Sequence, residues 1–241
     1  MSDLPSPVAL ALAHIESGDF AGAQHCLETE SDSAKISEYY AQLIKILYGK
    51  NKDVAGMLAL GRVGVDYQLR EAERVAADDA ALAIKLRTAA KNLAFNVAAN
   101  CWPGWGDDGV VIDAAQIEAG LQLAKLSLAL VQELALGQHQ HANAFWLVGA
   151  LDLAANRTEA AIASFDQARA CSLSAGEQPE VLLADGYRAI ALNAAAIGEE
   201  ADVPLDEVIA QLQQDGSDKA KFFAGQLRTA ARILRDRRHA S

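Results

Sequence analysis

Aromatic side chains make up only 6% of this 241-residue chain, cysteines number three and prolines five. The shortage of aromatics, beside 51% hydrophobic residues, argues against a β-sandwich. Strands favour β-branched and aromatic residues, whereas alanine and leucine supply most of the apolar content here. Cys26, Cys101 and Cys171 are far apart, odd in number and form no CxxC pair. That pattern excludes a disulfide framework and a cysteine-ligated zinc site, and it predicts reduced, buried thiols. No run approaches the ~20 apolar residues of a membrane span. Residues 1–13 lack the basic start and long apolar core of a secretory signal, so the expectation is a cytoplasmic protein with no membrane partner. The sequence has no GxSxG elbow, no P-loop and no HExxH zinc motif. It therefore predicts no enzyme, no cofactor and no bound metal.

Basic residues are also scarce until the end. The net charge is −11, yet seven basic residues and two acidic ones stand beyond Ser217, a net +5, so residues 1–217 carry −16. An acidic body repels phosphates and argues against nucleic acid as a partner. In the basic end, Arg228, Arg232 and Arg235 are spaced to share one helix face. There they offset the helix dipole or face an acidic partner or the protein's own body.

What the chain does have is helical period and punctuation. Its prolines (Pro5, Pro7, Pro103, Pro179, Pro204) all fall between or at the starts of apolar segments, where helices tolerate them. Gly18, Gly49, Gly137, Gly176, Gly198 and Gly216 follow periodic runs, as glycines at helix C-termini do. Asp113-x-x-Gln116 and Asn156-x-x-Glu159 read as capping boxes, and Ser217 as an N-cap. Ile162, Phe165 and Ala168 form an apolar stripe at three-to-four spacing, and Leu121 to Leu134 a broader one. The map predicts helices over 6–17, 20–30, 36–48, 52–68, 71–99, 113–135, 141–154, 158–174, 179–196, 205–214 and 218–236. Gly109-Val110-Val111-Ile112-Asp113 is the one short strand-like run.

The hairpins repeat. Phe145-x-x-Val148-Gly149 is followed by Ala161-x-x-x-Phe165-x-x-Ala168, which resembles a tetratricopeptide repeat. Asp152 stands where that family prefers tyrosine, and Leu173 where it prefers a terminal proline. Residues 17–23, with Ala23 and Leu27, resemble a second copy of the inter-helix turn. A third hairpin runs from Tyr39 to Tyr67, a fourth joins the long helix to 113–135 through an enlarged loop, and a fifth runs from Pro179 to Gln214. The resemblance implies an all-α, right-handed α-solenoid of about five antiparallel helical hairpins. It would form a single domain over 1–241, with 218–241 as capping helix and basic tail. It further implies a non-catalytic scaffold that binds another protein or peptide on the surface made by the first helices. Self-association into a homo-oligomer is the alternative reading.

Three features are candidates for function. Asn92, Asn96 and Asn100 recur every four residues, so one face of a long helix shows three amides beside Lys85, Arg87 and Lys91. Such a stripe reads as a plain solvated face, as amide bonding between helices, or as a surface that hydrogen-bonds a peptide backbone. The loop Trp102-Pro103-Gly104-Trp105 holds two of the three tryptophans and offers either a satellite core or an aromatic anchor for a partner. His139-Gln140-His141, placed in an inter-helix loop, would make a metal site, and a metal-dependent helical enzyme, only if Asp107, Asp108 or Asp113 converged on it. His14 and His25 stand singly on helices and read as packing or surface residues.

Overall fold

The structure is a computed structural model that describes residues 6–195 and 204–240. Among them the chain forms eleven α-helices and no strand. In chain order these are α1 (Pro7–Glu16), α2 (Phe20–Glu28), α3 (Ser33–Gly49), α4 (Val54–Val75), α5 (Ala80–Ala99), α6 (Ala114–Glu133), α7 (Gln138–Ala154), α8 (Thr158–Ala175), α9 (Gln178–Ala195), α10 (Leu205–Asp215) and α11 (Asp218–Ala240). A 3-10 turn, Pro103–Trp105, interrupts the α5–α6 connection. No helix among the described residues is long and apolar enough to cross a membrane.

Local chemistry explains most of the boundaries. Each of the first six helices opens on a side-chain cap, in which Ser6, Asp19, Asp32, Asp53, Asp79 or Asp113 accepts a backbone N–H of the first turn. A caps-by-acid pattern also complements the helix dipole. The capping box at Asp113 and Gln116 forms in both directions, and the Ser217 hydroxyl accepts from Ala220 N at 3.2 Å. Gly176 and Gly216 end α8 and α10 in the left-handed conformation.

Several expectations are corrected. The break placed near residues 69–70 lies instead at 76–79, because Asp79 supplies the cap and nothing before it does. Asn156 is not an N-cap: it adopts φ +60° after α7, a conformation asparagine tolerates, and Arg157 precedes α8 without a side-chain cap. Gly137 opens α7 rather than closing α6, and Ala135 carries the positive φ there. The strand-like Gly109–Asp113 run pairs with nothing, and Val111 is exposed. The expected turn at Gly198–Val203 lies outside the described residues.

Consecutive helices pack against one another throughout. Alternate helices touch as well: α1 with α3, α3 with α5, α5 with α7, α7 with α9, and α9 with α11. One apolar core cluster runs from Val8 to Leu234, with a small satellite of Ala72, Val75, Ala83 and Leu86 at the α4–α5 turn. The repeat-like residues lie at tight crossings. A Cβ on Gly149 would come within 2.7 Å of the Phe165 ring and 3.1 Å of the Ala161 carbonyl, so α7 and α8 approach only because that position is bare. Ala161, Phe165 and Ala168 are buried, as are Ala23 and Leu27 in the first hairpin.

Asp152 carries a cost in this packing. It is buried on α7, and Arg157 reaches its Oδ1 only at 3.6 Å. Burial raises its carboxyl pKa above the ordinary 3.8, while Lys125 and Arg157 pull the other way. A carboxyl that binds its proton more tightly when folded favours the native state at low pH. That advantage is lost as pH rises through the raised value. Asp152→Asn should therefore match the wild type at pH values below 3.8 and exceed it in stability at neutrality. Denaturant unfolding of both proteins across that range checks the sign; a variant less stable at neutral pH would contradict it.

Candidate functional site

The α3–α5 face forms a continuous trough. Two cavities of about 270 and 340 Å³ follow one another along it, and a third of about 520 Å³ adjoins their end, between the Trp105 loop and α11 (Asp218–Ala240). Ala41 and Asn96 line both the first and the second, and Tyr48 and Asn100 both the second and the third. On α5, residues 82, 85, 86, 89, 92, 93, 96 and 100 form one face by helical spacing, and that face is the wall. Asn92, Asn96 and Asn100 thus run along the trough, with Asn92 and Asn96 exposed and Asn100 half-buried. Asn100 also donates to the Met57 sulfur at 3.4 Å. Lys85, Lys45 and Lys221 stand exposed on the lips, facing Glu38 and Asp107.

The other proposed site residues are placed differently. Arg87 turns toward α6 and binds the Glu133 carboxylate. Lys91 is half-buried, its ammonium held below its ordinary pKa by that burial, and it donates to Asn92 Oδ1 at 3.0 Å. Lys91 thus touches the asparagine row from outside the trough.

The tryptophan loop fills a gap in the protein's own core. Trp102 is fully buried and so presents no anchor to a partner. Its ring lies 6.0 Å from Tyr187 on α9. Trp105 lies 5.9 Å from Trp146 on α7 and donates its Nε1–H to the Ala99 carbonyl at 2.7 Å. Trp146 meets Tyr187 edge-on at 5.6 Å, and Phe165 of α8 lies 5.4 Å from the same ring. Gly104 is bare because a Cβ there would sit 2.3 Å from the Trp102 indole. Trp105 is half-buried and keeps an edge on the third cavity. The loop is tied to α3 by Tyr48, whose hydroxyl donates to Asp107 at 2.6 Å. Burial first, and then that carboxylate, hold the hydroxyl above its ordinary pKa. The same residues spell Gly104-x-Gly106-x-x-Gly109, the spacing of a dinucleotide-binding fingerprint. That chemistry needs a strand before it and a helix opening directly after it, whereas α5 precedes this loop and the next α-helix begins at Ala114.

Helix α11 seals the tryptophan side. Gln226 donates to the Tyr187 hydroxyl at 3.0 Å, Leu227 packs on Gly186, and Arg237 donates to the Ile112 carbonyl at 3.1 Å. Lys219 bridges Glu177 and Glu180 of the α9 region at 2.8 and 2.7 Å. Phe222 is exposed at the rim of the third cavity. Arg228, Arg232 and Arg235 face solvent.

His139 and His141 lie in the first turn of α7, not in a loop. His139 meets Glu180 at 3.1 Å and Asn143 at 3.2 Å, Asp107 is held by Tyr48, and Asp113 caps α6. Among the described residues no group of three or more His, Cys, Asp or Glu side chains is placed to hold a metal ion. Of the three thiols, Cys101 is buried while Cys26 and Cys171 are half-buried.

Two outcomes follow from this packing. Burial pushes the Cys101 thiol up to about 12, so a thiol reagent at mildly alkaline pH should leave Cys101 unmodified in the native protein and modify it after denaturation. Mass spectrometry of the labelled peptides reads this, and equal rates in both states would contradict the burial. Gly186→Ala would drive a Cβ to 2.4 Å from Leu227 Cδ1 and should cost about 1–3 kcal/mol. Leu227→Ala should cost about 2–5 kcal/mol. The double variant should lose less than the sum, because the second change makes room for the first. Strict additivity in denaturant unfolding would mean that α11 does not pack on α9 there.

No model of a known protein family matches the chain, and no curated protein matches it at a significant level.

Proposed function

We propose that this chain is a tetratricopeptide-like, right-handed α-solenoid and that it binds a peptide segment of another protein, without catalysis, in the α3–α5 trough. The observation that carries the reading is the row Asn92–Asn96–Asn100, set along one wall of a groove with leucine and alanine on its floor. Asparagine amides offer both donors and acceptors, which is what an extended backbone presents in return. The helical pairing supports the solenoid part: α1, α3, α5, α7, α9 and α11 touch in series, while α2 touches α4 and α4 touches α6. In such an array the first helices line one continuous surface. The close α7–α8 crossing, where Gly149 leaves no room for a Cβ beside Phe165, also supports the reading. The alternative of self-association finds support at the α1–α2 hairpin, where Leu10 and Phe20 are partly exposed.

A peptide selected against the purified protein from a displayed random library tests the reading. Asn92→Ala with Asn96→Ala should weaken its binding at least about tenfold, equivalent to ~1.4 kcal/mol. Arg228→Ala with Arg232→Ala should leave it unchanged. Selected peptides that ignore the asparagine pair would sink the trough as the binding surface. A scattering mass above that of a monomer, abolished by Leu10→Ser with Phe20→Ser, would favour self-association.

A further inference from the structure

The third cavity, between the Trp105 loop and α11, joins the end of the trough through Tyr48 and Asn100. Its volume of about 520 Å³ falls within the roughly 300–1,000 Å³ of sites that enclose a small ligand. The rings of Tyr48, Trp105 and Phe222 line it, and Phe222 is 60% exposed. One carboxylate lines it as well. Asp107 accepts from the Tyr48 hydroxyl at Oδ2, 2.6 Å away, and its Oδ1 makes no hydrogen bond. Among the described residues no cation comes within ion-pair distance of Asp107. Lys221 stands across the cavity, but its ammonium lies 4.0 Å from Asp218 instead. Gly225 supplies an independent observation. It stands inside α11, where a glycine is less stable than an alanine. Gly104, Gly149 and Gly186 are bare because a Cβ would strike a neighbour, whereas a Cβ on Gly225 would meet nothing within 4 Å. Helix packing gives no reason for this glycine. Because Gly225 lines the cavity, its bareness serves the room inside.

We infer that this cavity takes the side chain of an arginine carried by the peptide that lies in the trough. The aliphatic stem of arginine covers ring surface, and its planar guanidinium stacks on aromatic rings. The same group offers a fork of N–H donors to a carboxylate, here the free Oδ1 of Asp107. A neutral apolar group would take water from Asp107 and return no donor. An acidic group would meet Asp107 on a protein of net charge −11, a field that repels anions and draws cations. The inference deepens the peptide reading and rests on it: Asn96 and Asn100 would hold the backbone that leads the arginine into the cavity.

The test needs no identified partner. Nα-acetylarginine amide and Nα-acetylcitrulline amide, its neutral isostere, are titrated into the full chain and followed by NMR. The arginine compound should bind saturably and shift the amides of Gly104 and Gly225 and the indole N–H of Trp105. It should bind at least tenfold more tightly than the citrulline compound. Asp107→Asn, whose amide oxygen still accepts from Tyr48, should close that gap. Gly225→Leu, which fills the cavity from α11, should abolish binding of both without lowering the melting temperature. Equal affinity for the two compounds in the wild type, no saturable binding of either, or a gap that survives Asp107→Asn overturns the inference. Free arginine that binds at least tenfold more tightly than its blocked amide makes the occupant a small molecule and overturns the peptide anchor. A library-selected peptide that depends on Asn92 and Asn96, yet is indifferent to Asp107→Asn and Gly225→Leu, overturns the anchor alone and leaves the trough reading standing. Peptides that ignore Asn92 and Asn96 sink the trough, and the comparison of arginine with citrulline still decides the cavity.

Discussion

The space between α7, α8 and α9 is closed by residues that none of those helices supplies. Trp102 and Trp105 come from the α5–α6 loop, and Gln226 and Leu227 come from α11. All three tryptophans meet there, around a Tyr187 ring that also touches Phe165. In a chain so poor in aromatics, this concentration is where burial is densest in energy. Large rings remove much surface from water, and each favourable ring pair adds about 0.5–1.5 kcal/mol. The node also fixes direction. The loop must turn back from the end of α5, α11 must lie along α9, and Gly104 and Gly186 must stay bare to let them in. One half of the molecule is thereby closed by its own chain, and the α3–α5 half is left open.

The features legible in the sequence were those set by neighbours a few residues away. Helix starts could be read where an aspartate or serine caps its own first turn, as at Asp113 and Ser217. The asparagine row could be read because a four-residue spacing fixes a shared face whatever lies opposite. The same reasoning misplaced the α4–α5 break, since the apolar period runs on past Leu69 and the deciding signal was the single side chain of Asp79. The fate of Trp102 could not be read locally. Its burial depends on Tyr187, eighty-five positions along the chain, and on a helix beyond that. The burial of Gln68 was invisible for a related reason. A glutamine inside a long helix gives no sign of whether it faces water or an apolar wall, and only the packing of α3 on α5 turns it into an unpaired acceptor.

Much of the acidic charge is structural. Five aspartates cap helices α2 to α6, and Glu177 and Glu180 receive Lys219. The basic end is therefore not simply a tail opposed to an acidic body. Its first lysine is spent on docking α11, its exposed arginines lie on the outer face, and the apolar residues between them are what attach the helix. Ion pairs on exposed surfaces contribute only about 0–1 kcal/mol, so the lysine sets register while Leu227 and its neighbours supply affinity.

The two halves of the molecule also differ in what they leave to solvent. The α9 surface is covered permanently, and it is built for that. It offers a glycine to a leucine, and its one buried hydroxyl is matched by Gln226. A surface of that kind would be costly to leave bare, because large apolar rings would face water. The α3–α5 trough follows the opposite rule. Along its upper wall stand amides, which water satisfies fully when nothing is bound, so the empty state carries no large penalty. Buried atoms without a partner occur on both sides, at Gln68 Oε1 by the trough and at Trp102 Nε1 and Trp146 Nε1 in the aromatic node. The same chain thus closes one face with rings and a glycine that water would penalise, and lines the other with amides that water satisfies, so that only the first face needs a covering helix to be stable.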